Sequence, residues 1–381
     1  MEPTIKKVVI LGSTGSVGTQ TLEIIRAFSD RFEIVGLCNG YNTPLFKQQL
    51  DEFKPKYFNT LGEVESGYAG SKFVPAEEIA SLPEVDLVVA ATVGCAGMPP
   101  AIAALQAGKS LGLANKEVIV MAGEKIMEVA RTSGSEILPI DSEPSAIWQC
   151  LEGEVSDPAR LIITASGGAF RDRTWDSLGD VTLEQALNHP TWTMGPKITV
   201  DAATLMNKAF EVIESRWLFD IPFDQIDVTI HRQSIVHSMV EFADGTLKAQ
   251  LGPTSMLQPI QHALFHPERQ GNNNLPRLNA VTMGSLTFEE MDRSLYPCFE
   301  LALDYGKRGG TFPAALAGAD EAAVQLFLNK KIKFTQIPDI VAETLVTHEP
   351  IFKPSVADTI EAAQWATETT LARHNQSTIL S

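Results

Sequence analysis

The sequence predicts an α/β protein that begins with a Rossmann-like domain, continues with a central α+β domain and ends with a helical domain. Three observations support this class. β-Branched runs alternate with helical periodicity over roughly the first 140 residues, a glycine-rich turn follows the first run, and the pattern becomes helical from about residue 295. Alternation of strands and helices is typical of βαβ units around a parallel sheet.

The N-terminal domain is predicted over residues 1–149. Its strands are apolar runs without a clean alternation of apolar and polar residues, as expected when both faces of a parallel sheet are covered. The predicted strands are 5–12, 32–38, 86–93, 109–114 and 135–140, and a helical pattern over 19–28 follows the first of them.

The central domain is predicted over residues 150–290, with a sheet that is at least partly antiparallel. Two of its strands flank Ala243-Asp244-Gly245, a sequence typical of a β-hairpin turn. Its strands are predicted at 160–168, 226–231, 235–242 and 247–251, and its helices at 202–217 and 258–266. Residues 291–381 are predicted to form a small helical domain, with helices at 320–328 and 356–372.

Composition excludes several classes of protein. Acidic side chains outnumber basic ones by 47 to 30, so the chain offers no basic surface for duplex nucleic acid. The longest apolar stretch, 85–93, is far shorter than the ~18 residues of a membrane span, and residues 1–7 lack the layout of a signal peptide. The four cysteines are scattered without a CxxC pair, which argues against a disulfide framework or a zinc site. We expect a cytoplasmic protein with a small-molecule partner and without nucleic-acid or membrane partners.

A glycine-rich turn, Gly12-Ser-Thr-Gly15-Ser-Val-Gly18, joins the first strand to the first helix. Glycines at this spacing allow a tight turn, after which the amides at the start of the helix face a pyrophosphate. The alternative is a turn that only closes a strand–helix corner, but the surrounding βαβ pattern favours a nucleotide. Cys38 to Asn42, after the second strand, contain no acidic residue; this favours NADP, because a carboxylate would repel the 2′-phosphate.

Two groups of carboxylates indicate a metal site. Asp141 and Glu143 follow the last strand of the parallel sheet, where ligands gather, and in an extended chain they would point to the same side. On the helix predicted over 202–217, Asn207, Lys208 and Glu211 share one side, which is predicted to face outward. Glu214 shares that side, so the spacing does not decide which glutamate would bind a metal. Oxygen ligands suit Mg²⁺ or Mn²⁺; a capped helix start and a solvated Lys–Glu face are the alternatives.

Seven segments, in order along most of the chain, resemble the 1-deoxy-D-xylulose 5-phosphate reductoisomerases. They are GSTGSVG (12–18), LANKE (113–117), DSE (141–143), ASGG (165–168), HPTWTMG (189–195), NKAFE (207–211) and QSIVHSMVEF (233–242). The resemblance implies a homodimeric enzyme that uses NADPH and Mn²⁺ or Mg²⁺. It would rearrange the phosphosugar to a branched aldehyde and reduce that to 2-C-methyl-D-erythritol 4-phosphate, the committed step of non-mevalonate isoprenoid biosynthesis.

The resemblance also implies roles for individual residues. It places Lys116 beside the substrate oxygens, for charge stabilisation or proton transfer, and it makes Asp141, Glu143 and Glu211 the metal ligands; these four would be the catalytic residues. The implied substrate residues are Lys116, Ser142, Glu143, Ser166, His189, Trp192, Ala202, Asn207, Lys208 and Glu211. The implied cofactor residues are Thr14, Gly15, Ser16, Val17, Gly40, Tyr41, Asn42, Asn115, Glu117 and Gly195. Residues 187–197 would form a flap in which Trp192 closes over the substrate and excludes water.

Four positions depart from the family pattern. Ala202 stands where a phosphate-binding serine is usual, so Thr204 or a water molecule would have to supply the hydroxyl. Tyr41 replaces the usual basic residue near the 2′-phosphate, and selectivity for NADPH over NADH is therefore expected to be weaker. Pro144-Ser145 follows DSE where His-Asn is common. Arg232 stands where proline is common and is expected to add positive charge near the site.

Two other functions fit part of the sequence. A homoserine- or semialdehyde-dehydrogenase-like oxidoreductase would share the domain layout but would not need the carboxylates. A non-catalytic NADP-binding paralogue would explain Ala202 as a sign of decay. Retention of Lys116 and all three carboxylates argues against decay.

Overall fold

The computed structural model describes residues 5–41, 43–61 and 70–375. Its strands are β1 (Lys6–Leu11), β2 (Phe32–Tyr41), β3 (Tyr57–Leu61), β4 (Lys72–Phe73), β5 (Leu87–Ala90), β6 (Ser110–Leu113), β7 (Ile137–Pro139), β8 (Pro158–Ala165), β9 (Ile226–Ile230), β10 (Val236–Phe242), β11 (Leu247–Leu251) and β12 (Glu289–Glu290). Its α-helices are α1 (Ser16–Ala27), α2 (Pro44–Phe53), α3 (Ala76–Ala80), α4 (Met98–Gln106), α5 (Lys116–Ser133), α6 (Ser142–Leu151), α7 (Leu183–Ala186), α8 (Pro196–Thr204), α9 (Met206–Leu218), α10 (Leu257–Phe265), α11 (Pro297–Arg308), α12 (Phe312–Leu328), α13 (Ile337–Leu345) and α14 (Val356–Asn375). These elements belong to two units. The first comprises Met1–Val118, Glu124–Ser145 and Met256–Pro276, and the second comprises Ile119–Gly123, Ala146–Ser255 and Arg277–Ser381.

A parallel sheet forms the core of the first unit, with the strand order β4-β3-β2-β1-β5-β6-β7. Every strand runs parallel to its neighbours. Residues 8–11 and 87–90 are all buried, so both faces of the sheet are covered. This confirms the predicted α/β class and each strand predicted in this region. The last two strands on one side of the sheet, β3 and the edge strand β4, have no counterpart in the sequence prediction.

The helix α10 belongs to the first unit although it follows β8 to β11 of the second unit along the chain. The Phe265 ring at its end makes edge-to-face contacts with Phe28 and Phe32, with ring centroids 5.0 Å apart in both pairs. The Lys6 ammonium donates a 2.8 Å hydrogen bond to the Leu264 carbonyl. A distant stretch of sequence therefore completes the core of the first unit.

A mixed sheet forms the second unit, in the order β11-β10-β8-β9-β12. Only the pair β8 and β9 is parallel, so the loops after Ala165 and Ile230 leave the sheet at the same edge. β10 and β11 form the predicted hairpin, in which Gly245 adopts a φ of 81°. The sheet agrees with the predicted α+β pattern.

The single helix predicted over 202–217 is wrong, because the structure contains two helices there. α8 ends at Thr204 and α9 begins at Met206, and between them Leu205 adopts the left-handed conformation with a φ of 54°. This conformation costs about 1–2 kcal/mol for a residue with a side chain, and a leucine gives no sequence signal for it. The prediction that the polar side of this helix faces outward is also wrong. Lys208, Glu211 and Glu214 are only 4%, 1% and 0% exposed, which excludes a solvated Lys–Glu face.

The chain is helical after residue 297, as predicted. α12 and α14 approach closely at Gly318, where a Cβ would lie 2.1 Å from the Ala363 carbonyl oxygen. Residues 291–375 lie in the second unit together with the mixed sheet, and the predicted boundaries at 149 and 290 remain a prediction. No helix in the described ranges combines the length and the apolarity that crossing a bilayer requires.

Candidate active site

The glycine-rich turn has the backbone geometry of a phosphate-binding turn. Gly12 has a φ of 87°, and a Cβ there would lie 2.5 Å from the Ala91 carbonyl oxygen. A Cβ on Gly18 would lie 2.2 Å from the Gly12 carbonyl oxygen. Gly15 caps α1 without a side-chain hydrogen bond, so no side chain of the cap residue occupies the amides of the first turn. Thr14, Gly15, Ser16 and Val17 thus lie where an anion is stabilised by a helix N-terminus.

The end of β2 is joined to this turn by hydrogen bonds. The Thr14 hydroxyl donates to the Asn39 side-chain oxygen at 2.6 Å, and the Asn39 amide donates to the Tyr41 carbonyl at 2.6 Å. The Tyr41 side chain is exposed beside Gly40. Asn42 lies outside the described residues. The loop that is expected to select the nucleotide is therefore held against the turn that is expected to bind its pyrophosphate.

Asn115 organises the other side of this region. Its side-chain oxygen caps α5 by accepting from the Val118 amide, and its amide group donates to the Thr92 hydroxyl and the Gly94 carbonyl at 3.1 and 3.0 Å. A Cβ on Gly97 would lie 2.1 Å from the Thr92 hydroxyl oxygen. Asn115 therefore has a structural role here; its predicted contact with the cofactor, like that of Glu117 in the next turn, remains a prediction.

A buried ion pair joins the first residue of α5 to the end of β7. The Lys116 ammonium lies 2.6 Å from Asp141 Oδ2, and the two side chains are only 7% and 11% exposed. The Ser142 amide donates to Asp141 Oδ1 at 3.0 Å, and the Ser142 hydroxyl donates to Glu143 Oε2 at 2.5 Å. Asp141, Ser142 and Glu143 do not form the extended segment that was predicted. Glu143 lies in the first turn of α6, so the capped helix start and a carboxylate pair occur together.

The second unit holds a comparable group on α9. The Asn207 amide donates to Glu211 Oε1 at 2.5 Å, and the Lys208 ammonium contacts Glu211 Oε2. Glu211 is thus joined to both Asn207 and Lys208. Which glutamate of α9 would bind a metal remains a prediction.

Ser166 lies in a tight loop that contains two left-handed glycines. Gly167 and Gly168 have φ values of 83° and 71°, and a Cβ on Gly168 would lie 2.4 Å from the Ala202 carbonyl oxygen. The Gly168 amide donates to the Ser166 hydroxyl oxygen at 3.1 Å, and His189 Nε2 lies 2.9 Å from the same oxygen. The loop thus brings Ser166 and His189 together as predicted substrate residues of one site.

The hydrogen bonds fix the tautomer of His189. Its Nδ1 accepts from the amides of Thr191 and Trp192 at 3.2 and 2.9 Å, so Nδ1 carries no proton and Nε2 must carry it. The Nε2–H then donates to the Ser166 hydroxyl, which also accepts from Gly168. Because both lone pairs of Ser166 are used, its hydroxyl hydrogen is available to donate to an anion.

Burial, with the positive charges of Arg171 and Lys208, lowers the pKa of His189 from 6.5 to about 4. The unfolded chain therefore binds a proton at His189 between pH 6.5 and 4 while the folded chain does not. We expect His189 to have no effect on the free energy of unfolding above pH 6.5, and to lower this free energy progressively as the pH falls from 6.5 toward 4. Urea unfolding at several pH values between 7.5 and 4.5 should show that the free energy of unfolding falls less steeply with decreasing pH in His189→Gln than in the wild type. An equal dependence of the free energy of unfolding on pH in the two proteins would contradict the conclusion that folded His189 stays neutral.

The predicted flap also contacts β10 and the loop that precedes it. The Trp192 ring lies 5.8 Å from the His237 ring of β10, and the Thr191 and Ser234 hydroxyls are 3.2 Å apart. Gly195 caps α8 and is exposed. Movement of this segment over a substrate remains a prediction.

Two departures from the family pattern have structural outcomes that differ from expectation. Thr204 does not replace the missing hydroxyl at Ala202, because the Thr204 hydroxyl is buried, donates to the Asp201 carbonyl at 3.2 Å and accepts from the Met206 amide. Arg232 does not add an unneutralised charge. Its guanidinium contacts Asp172 at 2.5 Å and binds Glu289 through two nitrogens.

One residue near the loop was missed from the sequence. Arg171 donates from Nη1 to the carbonyls of Ser166 and Arg232, at 3.1 Å in both cases. Its position three residues after two consecutive glycines was the available signal, since a loop of two left-handed glycines needs partners for its carbonyls.

Comparison with known proteins decides the family. Family models match residues 8–123 (1-deoxy-D-xylulose 5-phosphate reductoisomerase), 137–219 (the C-terminal domain of this enzyme) and 251–369 (DXP reductoisomerase C-terminal domain). The 1-deoxy-D-xylulose 5-phosphate reductoisomerase of Pelotomaculum thermopropionicum is 47% identical over 375 residues, which cover 95% of this chain and 96% of that protein. The chain belongs to the 1-deoxy-D-xylulose 5-phosphate reductoisomerase family. The reductoisomerase of Thermoanaerobacter pseudethanolicus is similarly related, with 48% identity over 93% of this chain and 96% of its own length.

Solved reductoisomerases share the fold. The Zymomonas mobilis reductoisomerase in complex with NADPH superposes with a TM-score of 0.89 at 34% identity, covering 97% of this chain and 99% of that one. A DOX-P reductoisomerase in complex with NADPH, fosmidomycin and magnesium gives 0.90 at 35% identity, covering 98% and 99%. The predicted family is confirmed, and a dehydrogenase of the homoserine or semialdehyde type is not favoured.

Proposed function

We propose that this chain converts 1-deoxy-D-xylulose 5-phosphate to 2-C-methyl-D-erythritol 4-phosphate, using NADPH and Mg²⁺ or Mn²⁺. In the rearrangement one carbon–carbon bond of the substrate breaks and another forms, which gives a branched aldehyde. NADPH then transfers a hydride to the aldehyde carbon, and the aldehyde oxygen takes up a proton. The observation that carries this proposal is the full-length relationship to reductoisomerases at 47% identity, together with the related structure that binds NADPH, fosmidomycin and magnesium. This reaction is the committed step of non-mevalonate isoprenoid biosynthesis.

The donor set fits a hard divalent cation. We assign Asp141 and Glu143 of the first unit and Glu211 of the second as its ligands, since each offers a carboxylate oxygen and none is accompanied by a thiolate. Asp141 and Glu211 each contact one lysine, whereas the Glu143 oxygen accepts from a neutral hydroxyl. A divalent cation would add positive charge to these carboxylates, as hard oxygen ligands require. When bound, the cation polarises the carbonyl and hydroxyl oxygens of the substrate.

In this proposal Lys116 interacts with the reacting oxygens of the substrate. Its ammonium is buried on Asp141, so it is oriented before the substrate binds and loses little freedom on binding. It stabilises negative charge on a substrate oxygen or passes a proton to it, and Ser142 holds a substrate hydroxyl. The glycine-rich turn binds the NADPH pyrophosphate through the amides of α1.

Four side chains form the phosphate site in this proposal. The Ser166 hydroxyl hydrogen is directed away from its two donors, His189 Nε2–H lies beside it, and Asn207 and Lys208 add an amide and a positive charge. Gly168 contributes the backbone curvature that brings these groups together. Trp192 covers the site from the flap.

Tyr41 makes the selectivity for NADPH testable. A basic residue beside the 2′-phosphate adds a charge-assisted contact, and residues 38–46 contain none. We expect Tyr41→Arg to raise the ratio of kcat/KM for NADPH over NADH by about tenfold, equivalent to ~1.4 kcal/mol. Tyr57→Phe, on the neighbouring strand β3, is the control and should leave the ratio unchanged. An unchanged ratio in Tyr41→Arg would place the 2′-phosphate elsewhere.

The reaction itself is tested by NADPH oxidation with 1-deoxy-D-xylulose 5-phosphate and Mn²⁺, repeated with a chelator and with NADH. We expect metal-dependent oxidation and formation of 2-C-methyl-D-erythritol 4-phosphate. A sample that binds NADPH but does not oxidise it would favour the non-catalytic paralogue.

The proposal includes a cytoplasmic homodimer. The family resemblance supports the dimer, and the absence of any disulfide among the four cysteines, all of which are described, supports a reducing compartment. Sedimentation equilibrium would distinguish a dimer from a monomer of 41.4 kDa.

A further inference from the structure

We propose that Arg171 is a positioning residue of the phosphate site, which it serves by joining two loops of the second unit. This inference rests on the proposed function, because it concerns how Ser166 is presented to a phosphate. Arg171 itself is not proposed to touch the substrate.

The two loops leave the mixed sheet side by side. β8 and β9 are parallel neighbours, and the first loop contains Ser166 while the second contains Arg232 and Ser234. The Arg171 Nη1 group carries two hydrogens and donates to the carbonyls of Ser166 and Arg232, each at 3.1 Å. One guanidinium nitrogen therefore fixes the separation of the two loops.

The aliphatic part of the Arg171 side chain packs against the backbone of the first loop. A Cβ on Gly167 would lie 2.7 Å from the Arg171 Cβ and 3.4 Å from its Cδ, so the loop backbone lies directly on this side chain. On the other side, Gly168 lies against the Ala202 carbonyl. The loop is thus held between Arg171 and α8 with Gly167 and Gly168 in left-handed conformations.

The second loop is hydrogen-bonded to the flap. Ser234 has a φ of 54°, and its hydroxyl lies 3.2 Å from the hydroxyl of Thr191, whose amide donates to His189 Nδ1. His189 in turn donates to Ser166. Hydrogen bonds therefore connect Arg171 to both loops, and they connect the second loop to the flap through Ser234 and Thr191. His189 of the flap connects back to the Ser166 hydroxyl of the first loop.

Arg232 and Asp172 stabilise the same arrangement from outside. Arg232 is held by Asp172 and Glu289, which fixes the residue whose carbonyl Arg171 binds. Arg171 Nε lies 3.9 Å from Asp172 Oδ2. The family position usually occupied by proline is therefore filled here by a residue whose side chain is anchored on both sides.

The test compares Arg171→Met with Arg173→Met in the full-length protein. Methionine keeps most of the aliphatic stem but removes the donors, and exposed Arg173, two residues away, matches the change in charge. We expect Arg171→Met to raise the KM for 1-deoxy-D-xylulose 5-phosphate, and the inhibition constant of inorganic phosphate, by about tenfold. We expect kcat to change less than threefold and the Kd of NADPH to stay constant. Arg173→Met should leave all four values unchanged.

Two further variants separate positioning from other roles. Arg171→Lys keeps the charge but is one bond shorter, so we expect its KM to remain raised at least fivefold. In Ser166→Ala, which should itself raise KM, adding Arg171→Met should raise KM by less than threefold, because Arg171 acts through Ser166. Full rescue by lysine, fully additive effects, or a joint loss of kcat, NADPH affinity and melting temperature would each overturn the proposal. If the wild type were inactive, or if Ser166→Ala kept its KM, the proposed function would fail instead.

Discussion

Replacing Glu143 with glutamine is expected to reduce turnover of 1-deoxy-D-xylulose 5-phosphate by about a thousandfold, which corresponds to roughly 4 kcal/mol of transition-state stabilisation. Glu143 is one of the proposed metal ligands, and its Oε2 accepts a hydrogen bond from the Ser142 hydroxyl. Glutamine keeps the shape and the Ser142 contact but removes the negative charge that a divalent cation requires. The half-saturating concentration of Mn²⁺ should rise strongly.

The measurement is steady-state NADPH oxidation across a Mn²⁺ titration, with the Kd of NADPH measured by fluorescence. The Kd should not change, because the nucleotide turn lies at the start of α1 and not at α6. Glu136→Gln is the matched control, since Glu136 is an exposed carboxylate that directly precedes the first residue of β7. Wild-type turnover in Glu143→Gln would disprove the metal assignment.

Replacing Lys116 with methionine is expected to lower kcat by at least about a hundredfold, the usual range for a lost proton donor or charge stabiliser. The change removes the ammonium from the reacting oxygens. It also leaves Asp141 without the lysine that lies 2.6 Å away, so the carboxylate becomes more available to a cation. The half-saturating concentration of Mn²⁺ should therefore stay equal or fall, which is opposite to the expectation for Glu143→Gln.

Arginine at position 116 distinguishes the two roles of the lysine. An arginine keeps the charge but does not give up its proton at any relevant pH, so substantial activity would indicate charge stabilisation and loss equal to that of methionine would indicate proton transfer. The control is Lys125→Met, because Lys125 is a half-exposed lysine on the same helix and pairs with Glu128 at 2.8 Å. If Lys116→Met and Lys125→Met behaved alike, Lys116 would have no catalytic role.

The parts of this fold that were predictable are those with local causes. Gly12 and Gly18 sit where a Cβ would collide with backbone, so their pattern reports the turn directly. The break at Leu205 was not predictable, because no residue type there favours the left-handed conformation and tertiary packing must supply its cost. The burial of Glu211 was also missed, since periodicity separates two sides of a helix but does not say what covers them. The contacts of Arg171 depend on loops from separate strands, which sequence spacing does not align. The contacts of Thr204 depend on the break at Leu205, which was not predicted.

The return of α10 to the first unit has a consequence for biosynthesis. The ribosome makes all the strands of the parallel sheet before it makes Phe265, which packs on Phe28 and Phe32. Between Ser145 and Met256 the nascent chain passes through the second unit, which takes roughly 6–20 s at about 5–20 residues per second. During that interval the Phe28 and Phe32 rings lack the contact with Phe265 that they make in the folded protein. A fragment that stops before α10 would lack this contact permanently, and losing one buried phenylalanine alone costs about 3–5 kcal/mol.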